Sequence, residues 1–314
     1  MRRSLPIAAS LLTLSALLAS CGTTQTSLQS GLQASVAPGT VNVADLPVDP
    51  YARITLGEQA TEPYNVTLNF ATGSDAAVMN AMQAAATRWQ GVITRGQASA
   101  TVNIPAGACG SNAAYRGTID DILVFTGNRT IDGPGGILAQ SGPCSVRSST
   151  GLTTYSTLVF DTADLAQFSS QLADIAVHEL GHSLGIGSLW SRFGLVSGLG
   201  TTNPTYSGSN ALREYRAAGG TLSAVPVENQ GGGGTAGAHW RETTFGTELM
   251  TGYLNSGVVN PLSRVSVGTL QDMGYAVNYA AANAYTIPAT TALTLRQVDL
   301  GGREEIVTPR YRTE

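Results

Sequence analysis

The chain has 314 residues and a formal net charge of −4. It can bury one large core or two small ones, and it carries no basic footprint for a nucleic acid. All 17 basic residues are arginine, and only three cysteines are present, too few for a cysteine-held metal cluster.

Residues 1–20 read as an export signal. Met1-Arg2-Arg3 is a positive start, and Leu5 to Leu18 is apolar but too short to span a membrane. The stretch ends in Leu18-Ala19-Ser20-Cys21-Gly22. This resembles a bacterial lipobox, in which cleavage precedes the cysteine and Cys21 is acylated. Several acyl chains give stable anchoring. The expected location is the cell envelope or surface; an ordinary signal cut near Ser20, giving a secreted protein, is the alternative. Residues 21–49, rich in Ser, Thr, Gln and Gly, read as a flexible tether, with a short propeptide as the other reading. In an exported chain Cys109 and Cys144 pair most simply with each other; two buried thiols are the alternative.

Residues 50–187 carry most of the predicted elements. Tyr64 to Phe70 alternates apolar and polar, a strand pattern. Ser74-Asp75 opens a helix whose stripe is Val78, Met82, Ala85, Trp89 and Val92. Ala100 to Ile104, Ile122 to Phe125 and Leu158 to Phe160 read as strands. Gly135 to Gln140 reads as an edge strand, to which an extended peptide could add. Leu165 to Leu184 reads as a helix stopped by Gly185. Residues 188–278 are Gly-, Ser- and Thr-rich, with short helices over 211–218 and from Ser263 to Gly274. Residues 279–314 form a strand-like or loose tail. Asp120, Asp121 and Asp132 are loop acids of the kind that binds calcium, with solvated surface carboxylates as the competing reading.

The chemistry sits in His178-Glu179-Leu180-Gly181-His182. Two histidines four apart share one helix face and can reach one ion. Catalytic zinc usually keeps three protein ligands and an open position. The only other histidine is His239, which makes it the candidate third ligand. Glu179 points about 100° round the helix from His178. It is placed to take a proton from water without ligating the metal.

With Gly185 added, the motif resembles the opening of the metzincin zinc-peptidase signature. Most metzincins place the third histidine three residues after that glycine, where this chain has Ser188. The leishmanolysin branch has a large insertion there, and this chain resembles it. The resemblance runs through Val225-Pro226-Val227-Glu228-Asn229, His239-Trp240-Arg241-Glu242 and Glu248-Leu249-Met250-Thr251-Gly252, with 57 positions from His182 to His239. It implies an α+β zincin: a mixed twisted sheet with the active-site helix (50–187) above a more irregular C-terminal subdomain (188–278). It also implies one catalytic Zn²⁺, peptide or protein substrates, and Met250 in the turn beneath the metal. Leishmanolysins keep a propeptide cysteine that ligates zinc in the latent form; here the lipobox claims Cys21.

The function expected is therefore a zinc-dependent endopeptidase with Glu179 as general base. The alternative is a non-catalytic surface adhesin stapled by zinc. A third arrangement, with Glu214 or Glu228 as a thermolysin-like third ligand, lacks that family's helix pattern. Tyr253 near the turn is a candidate to hydrogen-bond the oxyanion, against the plainer reading of a packed core tyrosine.

Overall fold

The computed structural model describes residues 42–55, 62–255, 257–289, 297–299 and 303–314. The first half of the chain contains β1 (Ala52–Ile54), β2 (Val66–Phe70), α1 (Ala76–Val92), β3 (Ala100–Ile104), β4 (Tyr115–Ile119), β5 (Ile122–Arg129), β6 (Ala139–Arg147), β7 (Thr153–Asp161) and α2 (Leu172–Leu184). The second half is more irregular: β8 (Val196–Ser197), β9 (Thr205–Tyr206), α3 (Ser209–Ala217), β10 (Val225–Pro226), α4 (Glu242–Phe245), β11 (Tyr253–Asn255) and α5 (Arg264–Met273). Three short strands follow: β12 (Gln297–Asp299), β13 (Glu304–Ile306) and β14 (Tyr311–Thr313).

The main sheet has the order β13–β6–β7–β5–β2, with β14 also on β6. β2, β5 and β7 are mutually parallel, β6 is antiparallel to β7, and β13 and β14 run parallel to β6. A parallel step from β2 to β5 needs a long crossover, and α1 with β3 and β4 supplies it. The result is an α+β fold on a mixed sheet, as the sequence led us to expect. β5 is buried along its apolar run because both faces are covered. Ile122 and Val124 join the helical core, while Leu123 and Phe125 pack with β3 and β4 in a second core. That second core also holds the Cys109–Cys144 disulfide.

Every member of the α1 stripe is buried, and Asp75 caps the helix by accepting from Ala77 N–H at 2.7 Å. The Trp89 indole donates to Val177 O at 2.9 Å, fixing α1 against α2. α2 starts later than the Leu165 expected. Asp161 and Asp164 are the reason: their carboxylates accept backbone N–H groups of the 131–135 loop and of Ala163, so the intervening residues form turns. α2 ends at Gly185, whose φ of 118° lets its N–H close on Gly181 O and His182 O.

The strand predicted over 135–140 begins at Ala139 and is not an open edge. Its outer side is taken by β13 and β14, from the chain's own last residues. Near the other end of the described chain Leu46 and Asp49 are buried, and Asp49 N–H donates to Arg312 O at 2.8 Å. Among the described residues no helix is long and apolar enough to cross a membrane.

Candidate metal centre

α2 places His178 and His182 on one face, with Glu179 beside them. Their backbone is held from both sides. The Ser141 hydroxyl on β6 donates to Glu179 O, and α1 packs behind. Gly181 allows a close approach from below: a Cβ there would lie 3.0 Å from Met250 Sδ and 3.2 Å from the Trp89 ring. Met250 is therefore packed directly beneath the motif helix, fully buried.

His239 comes from a loop, and buried carboxylates brace that loop. Glu228 accepts from the N–H groups of Asn229, Gln230 and Glu242 at 2.8–3.0 Å. Its own N–H donates to His239 O at 2.8 Å. Glu248 accepts from Met250 N–H at 2.6 Å, Ser263 N–H at 3.0 Å and the Ser266 hydroxyl at 2.7 Å. Ser266 in turn accepts from the Trp240 indole at 2.8 Å. One carboxylate thus fixes both the Met250 turn and the residue next to His239.

Each imidazole donates its Nδ1–H to a backbone carbonyl: His178 to Leu249 O at 2.6 Å, His182 to Ile186 O at 2.8 Å, and His239 to Thr235 O at 3.1 Å. A carbonyl oxygen only accepts, so each neutral ring leaves its Nε2 lone pair free. The three Nε2 atoms converge, separated by 2.9, 3.0 and 3.2 Å. All three rings are fully buried. Three lone pairs this close repel when the rings are neutral, and one cation shared by all three removes that repulsion. A tetrahedral shell with bonds of ~2.0–2.1 Å leaves its ligand atoms roughly 3.3 Å apart, so the donor set fits zinc.

A fourth group stands there that the sequence did not single out. Glu304, on β13, places its carboxylate oxygens 2.8 Å from His239 Nε2, 3.2 Å from His178 Nε2 and 3.6 Å from His182 Nε2. Among the described residues, His178, His182, His239 and Glu304 are the group of His, Cys, Asp or Glu side chains gathered closely enough to hold a metal ion. Burial disfavours charge at His178, but the Glu304 hydrogen bond and charge outweigh it and push that ring up to about 9. Burial, then the neighbouring His178 and His239, hold His182 well below its ordinary value. Burial opposes the Glu304 charge too, yet His239 and His178 hold that carboxyl well below the usual carboxylate range.

Glu179 is outside the ligand group. No hydrogen bond of good geometry reaches either of its carboxylate oxygens, although both are buried. Burial, followed by the like charge of Glu304, holds its carboxyl well above the usual range.

The remaining candidates divide clearly. Glu214 is paired with Arg213 and Arg264 between α3 and α5, and Glu228 is the loop brace above; neither belongs to the ligand group. The Ser188 hydroxyl donates to His182 O at 2.6 Å. Asp120 and Asp121 accept hydrogen bonds from Asn65, Ser99 and Gln97, and Asp132 accepts from Ile137 N–H, so the described residues give calcium no support. Tyr253 is half-buried and pairs with Asp299 in the β11–β12 ladder. Cys21, with the export signal and the first part of the tether, lies outside the described residues.

The sequence signals offered Glu228 only as an alternative ligand and missed Glu248 and Glu304. The first two lie inside the stretches that carry the resemblance, but nothing in the motif assigns them a bracing role. Glu304 has no such signal: it follows Asp299-Leu300-Gly301-Gly302-Arg303 in the loose-looking tail.

No curated protein matches the chain. The family model described as leishmanolysin matches residues 89–295, more than half of the 314. The match takes in the motif helix, the His239 loop, the Met250 turn and α5. With a buried three-histidine centre suited to zinc inside the matched stretch, the chain belongs to the leishmanolysin family, a family of zinc metallopeptidases.

Proposed function

We propose that this protein is a zinc endopeptidase in which His178, His182 and His239 hold the metal and Glu179 is the general base. The observation that carries the proposal is the convergence of three Nε2 lone pairs, each fixed by a carbonyl at its Nδ1, beside a buried carboxylate that ligates nothing. Zinc bound there supplies Lewis acidity, which polarises the scissile carbonyl and makes water a nucleophile at neutral pH. Glu179 takes the proton of the attacking water and delivers it to the leaving amine. Met250 packs under the helix and takes no part in the chemistry. An extended stretch of substrate would lie along β6 through backbone hydrogen bonds in place of β13.

The zinc-stapled adhesin is not favoured. A structural staple gives no role to Glu179, a buried carboxylate beside the three histidines that stands outside the ligand group. The test is hydrolysis of casein by the purified, zinc-loaded chain, with and without chelator, beside Glu179→Ala. Chelator-sensitive cleavage that is lost in Glu179→Ala supports the reading; cleavage unchanged by either removes it.

We propose further that Cys21 carries a lipid anchor and that the mature protein sits at the envelope surface, with secretion as the alternative. The Leu18-Ala19-Ser20-Cys21 stretch supports this. Mass spectrometry of the N-terminal peptide decides it: an acylated Cys21 start is expected, and an unmodified start elsewhere refutes it. The division into halves at residues 50–187 and 188–278 is a separate proposal, and within the 279–314 tail β13 and β14 return to the sheet of the first half.

A further inference from the structure

We propose that residues 303–314 are an autoinhibitory strap and that Glu304 on it is the fourth ligand of the metal, closing the site until the strap peels back. The inference rests on the peptidase reading of the three-histidine centre.

Access is the first argument. A peptidase must admit a peptide to its metal, yet the three histidines are fully buried and Glu179 is 1% exposed. The Glu304 carboxylate stands over the ligand atoms, 2.8–3.6 Å from the three Nε2 atoms. A catalytic zinc site keeps a position open, whereas a site with four protein ligands is closed. Glu304 converts the first kind into the second. It does so from a segment outside the residues that match the leishmanolysin model, which end at 295.

Strand pairing is the second argument. The edge of β6 is where an extended substrate would add. Glu304, Glu305 and Ile306 pair there with Ala139, Gln140 and Ser141. Arg303 O accepts from Leu138 and Ala139 N–H, Val307 N–H donates to Ser141 O, and Arg310 N–H donates to Cys144 O. The Gln140 amide also donates to Glu305. Gly142 permits the fit, because a Cβ there would strike the Val307 carbonyl. The strap therefore uses the same backbone groups that substrate needs, while its carboxylate takes the metal.

The strap has an anchor separate from its plug. β14 is tied to the fold: Asp49 N–H donates to Arg312 O, Arg312 N–H to Pro47 O and Ser148 N–H to Thr313 O, at 2.8–3.0 Å. The 303–307 stretch can peel from β6 while 311–314 stays bound, which makes the closure reversible. An open form populated below a tenth weakens any metal-seeking ligand by ~10-fold or more.

The test uses the full chain loaded with Co²⁺, whose visible spectrum reads the ligand set, and a peptide hydroxamate as the probe of metal access. Glu304→Ala is compared with the parent. The strap predicts a changed Co²⁺ spectrum before any probe is added and hydroxamate binding tighter by ~10-fold or more in the variant. An unchanged spectrum with equal hydroxamate affinity overturns it. Casein cleavage by the zinc-loaded forms then separates the two readings. Tighter hydroxamate binding with no cleavage by either form keeps the strap and sinks the peptidase assignment. Equal cleavage by both, with equal affinity, sinks the strap and keeps the peptidase. If Glu304→Ala fails to fold, Glu304→Gln keeps the side-chain volume and carries the same comparison.

Discussion

The two halves of the metal centre are built in different ways. α2 delivers His178 and His182 through helix geometry alone, since residues four apart share a face whatever surrounds them. The loop half has no such regularity. His239 is held by Glu228, by the Met250 turn and by Glu248 beneath that turn, which leaves buried carboxylates saturated with backbone N–H groups. A helix positions ligands by its repeat; a loop has to be tied down donor by donor. The helical half should therefore tolerate changes around it, and the loop half should fail when one brace goes.

The largest effect should come from a substitution that leaves both halves standing. Glu179→Ala, made in the Glu304→Ala background so that turnover is readable, should lower kcat/KM by ~10²–10⁴-fold. Its zinc content by elemental analysis should stay that of the parent, because Glu179 stands outside the group of clustered ligand side chains. Loss of zinc together with activity would move Glu179 into the ligand set.

The loop half is broken most directly by His239→Ala. In a chelator competition its zinc affinity should fall by more than the ~10–100-fold typical of groups behind the ligands. Ser188→Ala should leave that affinity in place, since its hydroxyl only caps the end of α2. The comparison sharpens with the braces. Glu228→Ala and Glu248→Ala should each cost ~10–100-fold in zinc affinity. Ser141→Ala, which removes the hydroxyl's bonds to Glu179 O and Ser183 Oγ at the back of α2, should cost far less. Equal losses from Ser141→Ala and Glu228→Ala would erase the distinction between the halves.

Two smaller effects belong to the sheet and not to the metal. Opening Cys109–Cys144 by Cys109→Ala/Cys144→Ala should cost roughly 2–4 kcal/mol in denaturant unfolding. The bridge lies in the second core, away from α2, so zinc content should not change. At Asp161, burial opposes the charge but four backbone N–H groups prevail and lower its pKa. A carboxyl depressed by folding stabilises the protein above its unfolded pKa, and that stabilisation is lost as pH falls through the folded value. Asp161→Asn should therefore cost about 1–3 kcal/mol near neutral pH and progressively less under acid. A difference from the parent that stays constant down to low pH would remove Asp161 as the source.

The same contrast explains what could be read in the chain. Helical spacing exposed His178, Glu179 and His182, and the scarcity of histidine exposed His239. The α1 stripe and the capping Asp75 were legible because helices repeat. The start of α2 was not, because Asp161 and Asp164 spend their carboxylates on a loop remote in sequence. Glu228 and Glu248 look like surface acids until their N–H partners are seen. Glu304 was hidden for a topological reason: only the pairing of β13 with β6 carries it to the metal, and a three-residue strand leaves almost no periodicity to read.

Two imidazoles from a helix and one from a braced loop are proposed to hold one zinc. Zinc K-edge absorption spectroscopy of the zinc-loaded full chain tests this arrangement most directly. Three imidazole nitrogens at ~2.0–2.1 Å with an oxygen shell at ~2.0–2.2 Å are expected. A first shell with two imidazoles, or one containing sulfur, would contradict it.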